Sequence, residues 1–216
     1  MERIVSLVGL QAGARVLDLC CGVGRHSLEF ARRGFCVTAV DKTRAFLARA
    51  GSDAEAAGLE VAFVHDDMRA FCQPDTFDVA VNLLTSFGYF EDPEDDRRVV
   101  RNVYNSLKSG GVFVIELMGK EVLARVFQER DWNEHDGMLM LAERRVSRNW
   151  SWLENRWITI KGHTRTELRY SHRIYSAAEL VSLLTGCGFS RVDVAGDLSG
   201  SPYDHTSKRL VVVGRR

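Results

Sequence analysis

The sequence predicts an α/β fold: a mostly parallel sheet covered by helices on both faces. Three observations predict it. Short runs that are apolar on both faces recur along the chain with helical segments between them, the pattern of buried parallel strands. Residues 16–24 read Val-Leu-Asp-Leu-Cys-Cys-Gly-Val-Gly, an apolar strand running straight into a tight glycine turn. A second apolar run, 35–40, ends in an acid, Asp41.

The elements follow in order. Residues 15–19 form the first strand, and 24–33 form a helix with Leu28, Phe30 and Ala31 available for packing. Gly34 stands where a helix C-cap glycine belongs. Residues 35–40 form the second strand. Asp41 or Thr43 caps a helix that runs through Ala57 and stops at Gly58. The third strand is 61–65, and the fourth, 77–83, follows the Pro74-Asp75 turn. Pro93 suits the first turn of a helix ending near Leu107, where Lys108-Ser109-Gly110-Gly111 interrupts it. Residues 112–117 form the fifth strand. The strand–loop–helix–strand unit at the start suits a nucleoside-like ligand.

Residues 138–174 lack a helical period. Thr166, Leu168, Tyr170, His172 and Ile174 share one side of an alternating strand, and Arg165, Glu167, Arg169, Ser171 and Arg173 take the other. Asn149 and Gly162 mark turns, so two or three antiparallel strands are expected, rich in tryptophan. A helix resumes after Ser176, and 191–195 and 209–213 supply the last two strands. The chain reads as a single domain, 1–216, with an inserted antiparallel β segment, 131–174, serving as a lid or substrate subregion.

The 216 residues suit one full-sized core, and 45% apolar content is normal for a globular chain. Lysine plus arginine balances aspartate plus glutamate at 29 each, which removes the electrostatic argument for nucleic acid or an anionic membrane. There is no apolar run of the ~18 residues a membrane span needs, and the first residues do not read as a signal peptide. Five cysteines without Cys-x-x-Cys spacing suggest neither a disulfide framework nor a metal site, which fits a reduced, cytoplasmic location.

These features resemble the class I S-adenosylmethionine-dependent methyltransferases. The resemblance rests on Leu-Asp-Leu-Cys-Cys-Gly-Val-Gly, Val-Asp41, Asp66-Asp67-Met68, Asn82-Leu83-Leu84-Thr85 and the Leu107–Gly111 turn. The segment Leu-Thr-Ser-Phe-Gly-Tyr-Phe, 84–90, resembles small-molecule methyltransferases of bacteria. The resemblance implies a Rossmann-like seven-stranded sheet in the order 3-2-1-4-5-7-6, its last strand antiparallel. Two departures stand out. Cys20 occupies the first glycine position of the usual Gly-x-Gly-x-Gly loop, and only residues 1–14 precede the first strand, where relatives often carry a longer helical cover.

The resemblance implies S-adenosylmethionine as cofactor. It implies that Gly22 and Gly24 line the methionine and ribose portions, with Cys20 in the same cofactor-binding loop and Asp18 towards the ammonium. Asp41 accepts from both ribose hydroxyls, since a carboxylate presents two oxygens, and Lys42 flanks the adenosine. Of Asp66 and Asp67, the second is expected to accept from the adenine amino group, with the Met68 N–H reaching a ring nitrogen. Leu83, Leu84 and Thr85 sit at the strand-order reversal, where open α/β sheets bind ligands. Phe87 and Tyr89 are candidate walls of the transfer pocket or else core. Methyl transfer demands alignment and exclusion of water rather than a fixed catalytic residue. The catalytic residues therefore stay open; His172, Tyr203 and His205 are candidates, with Tyr170 and Asp204 as further substrate contacts.

The expected acceptor is a small molecule with an oxygen or nitrogen nucleophile, with no nucleic acid, membrane or metal involved and a homodimer possible. A nicotinamide dehydrogenase is an alternative, since Gly22, Gly24 and Ser27 nearly give its glycine spacing; Asp18 in the terminal turn of the first strand and the antiparallel end of the sheet disfavour it. A non-catalytic S-adenosylmethionine-binding protein is a second alternative. A nucleic-acid methyltransferase is weaker, because the fourth strand lacks the Asn/Asp-Pro-Pro-Tyr/Phe ending of enzymes that act on extruded bases.

Overall fold

The apolar runs pair into one sheet. The computed structural model describes residues 2–216. Its main sheet contains β1 (Arg15–Leu19), β2 (Cys36–Asp41), β3 (Val61–His65), β4 (Phe77–Asn82) and β5 (Leu107–Leu117). A second sheet follows: β6 (Arg130–His135), β7 (Met138–Ser147), β8 (Trp152–Lys161) and β9 (Thr164–Arg173). The chain then returns to the main sheet with β10 (Arg191–Ala195) and β11 (Leu210–Arg215). The main sheet runs β10-β11-β5-β4-β1-β2-β3, with β11 antiparallel to β5 and to β10, which is the expected order.

Among the described residues, six helices accompany the strands: α1 (Glu2–Val8), α2 (Arg25–Arg32), α3 (Arg44–Ala56), α4 (Pro93–Ser106), α5 (Lys120–Val126) and α6 (Ala177–Gly186). Local chemistry fixes their starts. Asp92 accepts from the Glu94 N–H ahead of Pro93 at the start of α4. Ser176 and Glu179 cap α6 reciprocally.

Alternation along each strand divides the core between the two faces. Leu17, Leu19, Phe113, Ile115 and Leu117 pack on one side with α4 and α6. Val16, Val79, Val81, Val112 and Val114 pack on the other with Phe30 of α2 and Ile4 of α1. Side chains this well buried each contribute roughly 1.5–3 kcal/mol.

The structure differs from the sequence reading in four places. The second sheet has four strands rather than two or three. Its first, β6, reads Arg-Asp-Trp-Asn-Glu-His and is almost wholly exposed, so it carries no apolar alternation. Helix α5 was not expected; at seven residues it is too short to show a periodic stripe. Helix α4 stops at Ser106, and β5 begins at Leu107 rather than Val112. The Lys108–Gly111 stretch lies inside that strand as an irregularity, where Gly110 and Gly111 exchange hydrogen bonds with Arg216. Finally, α1 occupies the short N-terminal stretch and packs Ile4 against the sheet.

The second sheet is anchored over the carboxyl ends of the central strands. Arg173 donates its N–H to the Gly88 carbonyl at 2.7 Å. Fully buried Asp96 of α4 accepts from the Tyr175 hydroxyl at 2.8 Å and from Arg173 Nε at 3.2 Å.

Candidate active site

A cleft of about 870 Å³ lies between the carboxyl edge of the main sheet and one face of the second. Its first wall is the turn after β1. Cys20, Gly22 and Gly24 all have left-handed backbones, with φ of 64°, 57° and 78°. Cys20 adopts this conformation without being glycine, at a cost of about 1–2 kcal/mol. Its side chain packs against Met68, with the sulfurs 3.5 Å apart. Burial, then the charge of Asp41, pushes its thiol up to about 12. Gly22 lines the cleft, and the space where a Cβ would stand is open, so a ligand can lie against its main chain.

Asp41 organises the neighbouring loops. One carboxylate oxygen accepts from the Gly22 N–H at 2.9 Å and the other from the Thr43 N–H at 2.8 Å. A carboxylate has about four acceptor sites, so two remain on a side chain that lines the cleft. From β3, Asp66 and Asp67 also line it. The Asp67 carboxylate pairs with Arg69 through Nε at 3.0 Å and Nη2 at 2.9 Å, and these bonds hold it below the usual carboxylate range. The Arg69 guanidinium in turn stacks 4.4 Å from the centre of the Phe90 ring.

The turn after β4 is held from beneath. Leu84 and Thr85 have φ of 58° and 62°. Glu116 on β5 accepts from the Leu84 N–H at 2.7 Å through its carboxylate and from the Thr85 N–H at 3.1 Å through its carbonyl. Arg209 donates to the same carboxylate and to the Thr85 hydroxyl oxygen. Four bonds thus fix a strained turn at the strand-order reversal.

The opposite wall is a strand face. The β7–β8 and β8–β9 registers set Arg144 beside Asn155 beside Tyr170, with Leu153 beside His172 and Trp157 beside Leu168. Because alternate residues share a face, Leu153, Asn155, Trp157, Leu168, Tyr170 and His172 all line the cleft. The other face carries Glu143, Arg156, Glu167 and Arg169 in a network of ion pairs. The rings of Tyr170 and His172 stack at 6.1 Å, Tyr89 lies 5.4 Å from His172, and Trp157 meets Tyr170 edge-on at 5.4 Å. Burial lowers the His172 pKa to about 4 and pushes the Tyr170 phenol up to about 12.

Of the expected site residues, Cys20, Gly22, Asp41, Lys42, Asp67, Met68, Thr85, Tyr89, Tyr170 and His172 meet at this cleft. Others do not line it. Asp18 is enclosed behind the loop, where it accepts from the Ser27 hydroxyl at 2.6 Å and burial pushes its carboxyl up to about 6. At Gly24, an added Cβ would stand 2.9 Å from that of Ala50, which makes it a packing glycine. Leu83 and Phe87 are core, Phe87 lying against Tyr175. The loop holding Tyr203, Asp204 and His205 is tied away from the cleft: Tyr203 donates to Glu121, Asp204 caps Thr206, and Arg125 donates to the His205 carbonyl. The sequence reading does not single out Asn155, Trp157, Arg209 or Glu116. An asparagine in the apolar row Leu153-Asn155-Trp157 was the available signal.

Residues 16–111 match the family model described as a methyltransferase domain. The chain is 24% identical over 232 residues to the Geobacillus sp. (strain WCH70) protein named "Putative methyltransferase GWCH70_2453", covering 100% of this chain and 90% of that one. A shorter match, 34% over 88 residues, joins 41% of this chain to 17% of a 23S rRNA (uracil(1939)-C(5))-methyltransferase, RlmD, of Polynucleobacter necessarius. Among solved structures, the CcbJ methyltransferase of Streptomyces caelestis aligns with TM-score 0.88 at 20% identity, covering 99% of this chain and 93% of that one. S-adenosylmethionine-bound CalS10 of Micromonospora echinaspora, an amino pentose methyltransferase, aligns with TM-score 0.72 at 24% identity over 100% and 88% of the two chains. The architecture is the fold of these solved methyltransferases. Residues 16–111 carry the match to the methyltransferase domain, and the Geobacillus protein extends the likeness over the whole chain.

Proposed function

We propose that S-adenosylmethionine lies along the carboxyl edge of β1, β2 and β3 and that its methyl group passes to an amine or hydroxyl of a small molecule seated against β7–β9. Asp41 carries this reading. Its carboxylate joins the glycine turn to the start of α3 and keeps two acceptor sites free for a ribose diol. Gly22 gives the open main-chain surface that such a ligand needs. Asp67 accepts from the adenine amino group beside the Met68 N–H, while Lys42 and Thr85 border the ligand. Asp18 acts by holding the turn through Ser27. When bound, the sulfonium supplies an activated methyl carbon; the residues of the chain align the nucleophile and keep water out.

A small acceptor suits a cleft whose second wall is aromatic and aliphatic, on a chain with no net charge. The segment 131–174 serves as the substrate subregion, and nucleic acid is not the acceptor. Among the described residues, no helix is long and apolar enough to cross a membrane. The five free thiols fit the reduced cytoplasm.

Calorimetry with S-adenosylhomocysteine tests the reading. Binding to the wild type is expected, with a loss of about 1–3 kcal/mol in Asp41→Asn, as one charged acceptor of a diol is removed. Unchanged affinity in the folded variant would count against the ribose role.

A further inference from the structure

Three buried polar atoms without partners cluster on the second wall of the cleft: Asn155 Nδ2, Trp157 Nε1 and His172 Nδ1. Asn155 and His172 are each 6% exposed. A buried polar atom left unpaired costs about 1–3 kcal/mol, and native folds keep few. The register puts all three residues on one strand face, with Asn155 and Trp157 about 7 Å apart along β8 and His172 on the diagonal from Asn155 across to β9. All three line the cleft.

Resting on the methyltransferase reading above, we propose that the acceptor is an amine bearing an oxygen on the neighbouring carbon, its oxygen held by Asn155 Nδ2 and Trp157 Nε1 and its amino nitrogen held at His172.

The donor inventory sets the oxygen. An amide NH₂ and an indole N–H can only donate, so what they meet must accept. The base inventory sets the nitrogen. A hydroxyl must surrender its proton as it is methylated, and a general base does this well only with a pKa near the working pH. The residues lining the β7–β9 wall include no carboxylate, and Tyr170 keeps its proton at neutral pH. Arg144 on that wall is paired with Asp131. Burial keeps the His172 ring neutral and a weak base. An amine needs no strong base, because it attacks with its own lone pair. That pair forms the N–C bond while the S–C pair stays on sulfur, so the positive charge moves from sulfur to nitrogen. The proton on the new ammonium then leaves to solvent, past the acceptor nitrogen of His172. The rings of Tyr89 and Tyr170, 5.4 and 6.1 Å from that of His172, lie beside this position, and aromatic rings favour a neighbouring cation.

The test uses protein saturated with S-adenosylhomocysteine and follows the indole N–H resonances of the four tryptophans by NMR. Trp157 is assigned with Trp157→Phe, which keeps the ring and removes the donor. The probes are trans-2-aminocyclohexanol, cyclohexylamine and trans-1,2-cyclohexanediol. The amino alcohol is expected to shift the Trp157 signal saturably and to bind about tenfold more tightly than either control. Trp157→Phe and Asn155→Leu are each expected to lower its affinity about tenfold while leaving S-adenosylhomocysteine affinity within about twofold. His172→Phe is expected to erase the preference for the amino alcohol over the diol. Equal binding of amine and amino alcohol overturns the oxygen contact, and equal binding of diol and amino alcohol overturns the amine. No saturable shift with any probe, while S-adenosylhomocysteine binds normally, overturns the whole proposal. If calorimetry finds no S-adenosylhomocysteine binding before any probe is added, the cofactor reading itself fails.

Discussion

Gly24 offers a sharp test of how the turn after β1 is built, because the structure gives it a packing role against Ala50 and leaves it off the cleft lining. Its φ is 78°, and a Cβ there would sit 2.9 Å from the Cβ of Ala50 on α3. Gly24→Ala therefore meets two penalties. The left-handed backbone costs an L-residue about 1–2 kcal/mol. The contact with fully buried Ala50 costs about 1–3 kcal/mol, as for other overpacked core sites. Stiffening of the unfolded chain returns about 0.4–1 kcal/mol. The expected net loss is roughly 3 kcal/mol, small enough to leave an ordinary domain folded. Urea denaturation measures it. Ala50→Gly alone should cost about 1 kcal/mol as a helix-interior glycine. The double variant should recover the contact penalty but not the backbone penalty, giving a coupling energy of about 2 kcal/mol in the mutant cycle. Each folded variant should hold S-adenosylhomocysteine within about twofold of wild type, since Gly24 is not among the residues lining the cleft. A coupling below ~0.5 kcal/mol, or a tenfold loss of ligand affinity in Gly24→Ala, would refute this account and return Gly24 to the ligand surface.

Two further outcomes are expected. His172 has a folded pKa of about 4 against 6.5 unfolded, so its contribution to stability is complete above pH 6.5 and declines as pH falls towards 4. Urea midpoints between pH 7.5 and 4.5 should show roughly 2–3 kcal/mol more acid sensitivity in wild type than in His172→Phe; parallel profiles would mean the ring is not buried neutral. A native thiol titration at pH 8 should find Cys36 and Cys72, which are exposed, reacting quickly and Cys20 reacting slowly, since its thiolate is suppressed by burial and by Asp41. Fast modification of Cys20, identified by peptide mass, would contradict the packing of that turn.

The parts of the molecule legible in the sequence are those where the backbone sets the requirement. The main-sheet strands announced themselves as apolar runs, since parallel strands are buried on both faces. The glycines after β1 and the acid ending β2 were visible because a left-handed turn and a two-acceptor carboxylate each restrict the residue types allowed. The residues that lie elsewhere in the structure do so for a different reason. Gly24 was assigned to the ligand because a glycine shows that a Cβ is unwelcome without showing what would collide with it; the obstacle is Ala50, on the next helix. Tyr203, Asp204 and His205 were placed near the substrate by topology, but their loop satisfies its polar groups through Glu121, Arg125 and its own turn. Strand β6 was hidden because it exposes nearly every side chain, and strand periodicity is visible only where one face is buried.

The two walls of the cleft follow different rules, and this bears on what the chain can change. On the wall built from the turns after β1 and β4, the fold-determining bonds lie in or directly beneath the cleft lining: Asp41 holds two loops, and Glu116 holds Leu84, Thr85 and Arg209 together. Substitution there disturbs the turn. On the β7–β9 wall, main-chain pairing maintains the sheet whichever side chains point inward. The ion pairs on its outer face, Arg156 with Glu143 and Glu167, further secure it without using the inner one. The inner face can therefore change its donors and rings at little cost to the fold. In this chain that face keeps three polar atoms unpaired, a cost that a sheet supported from behind can carry.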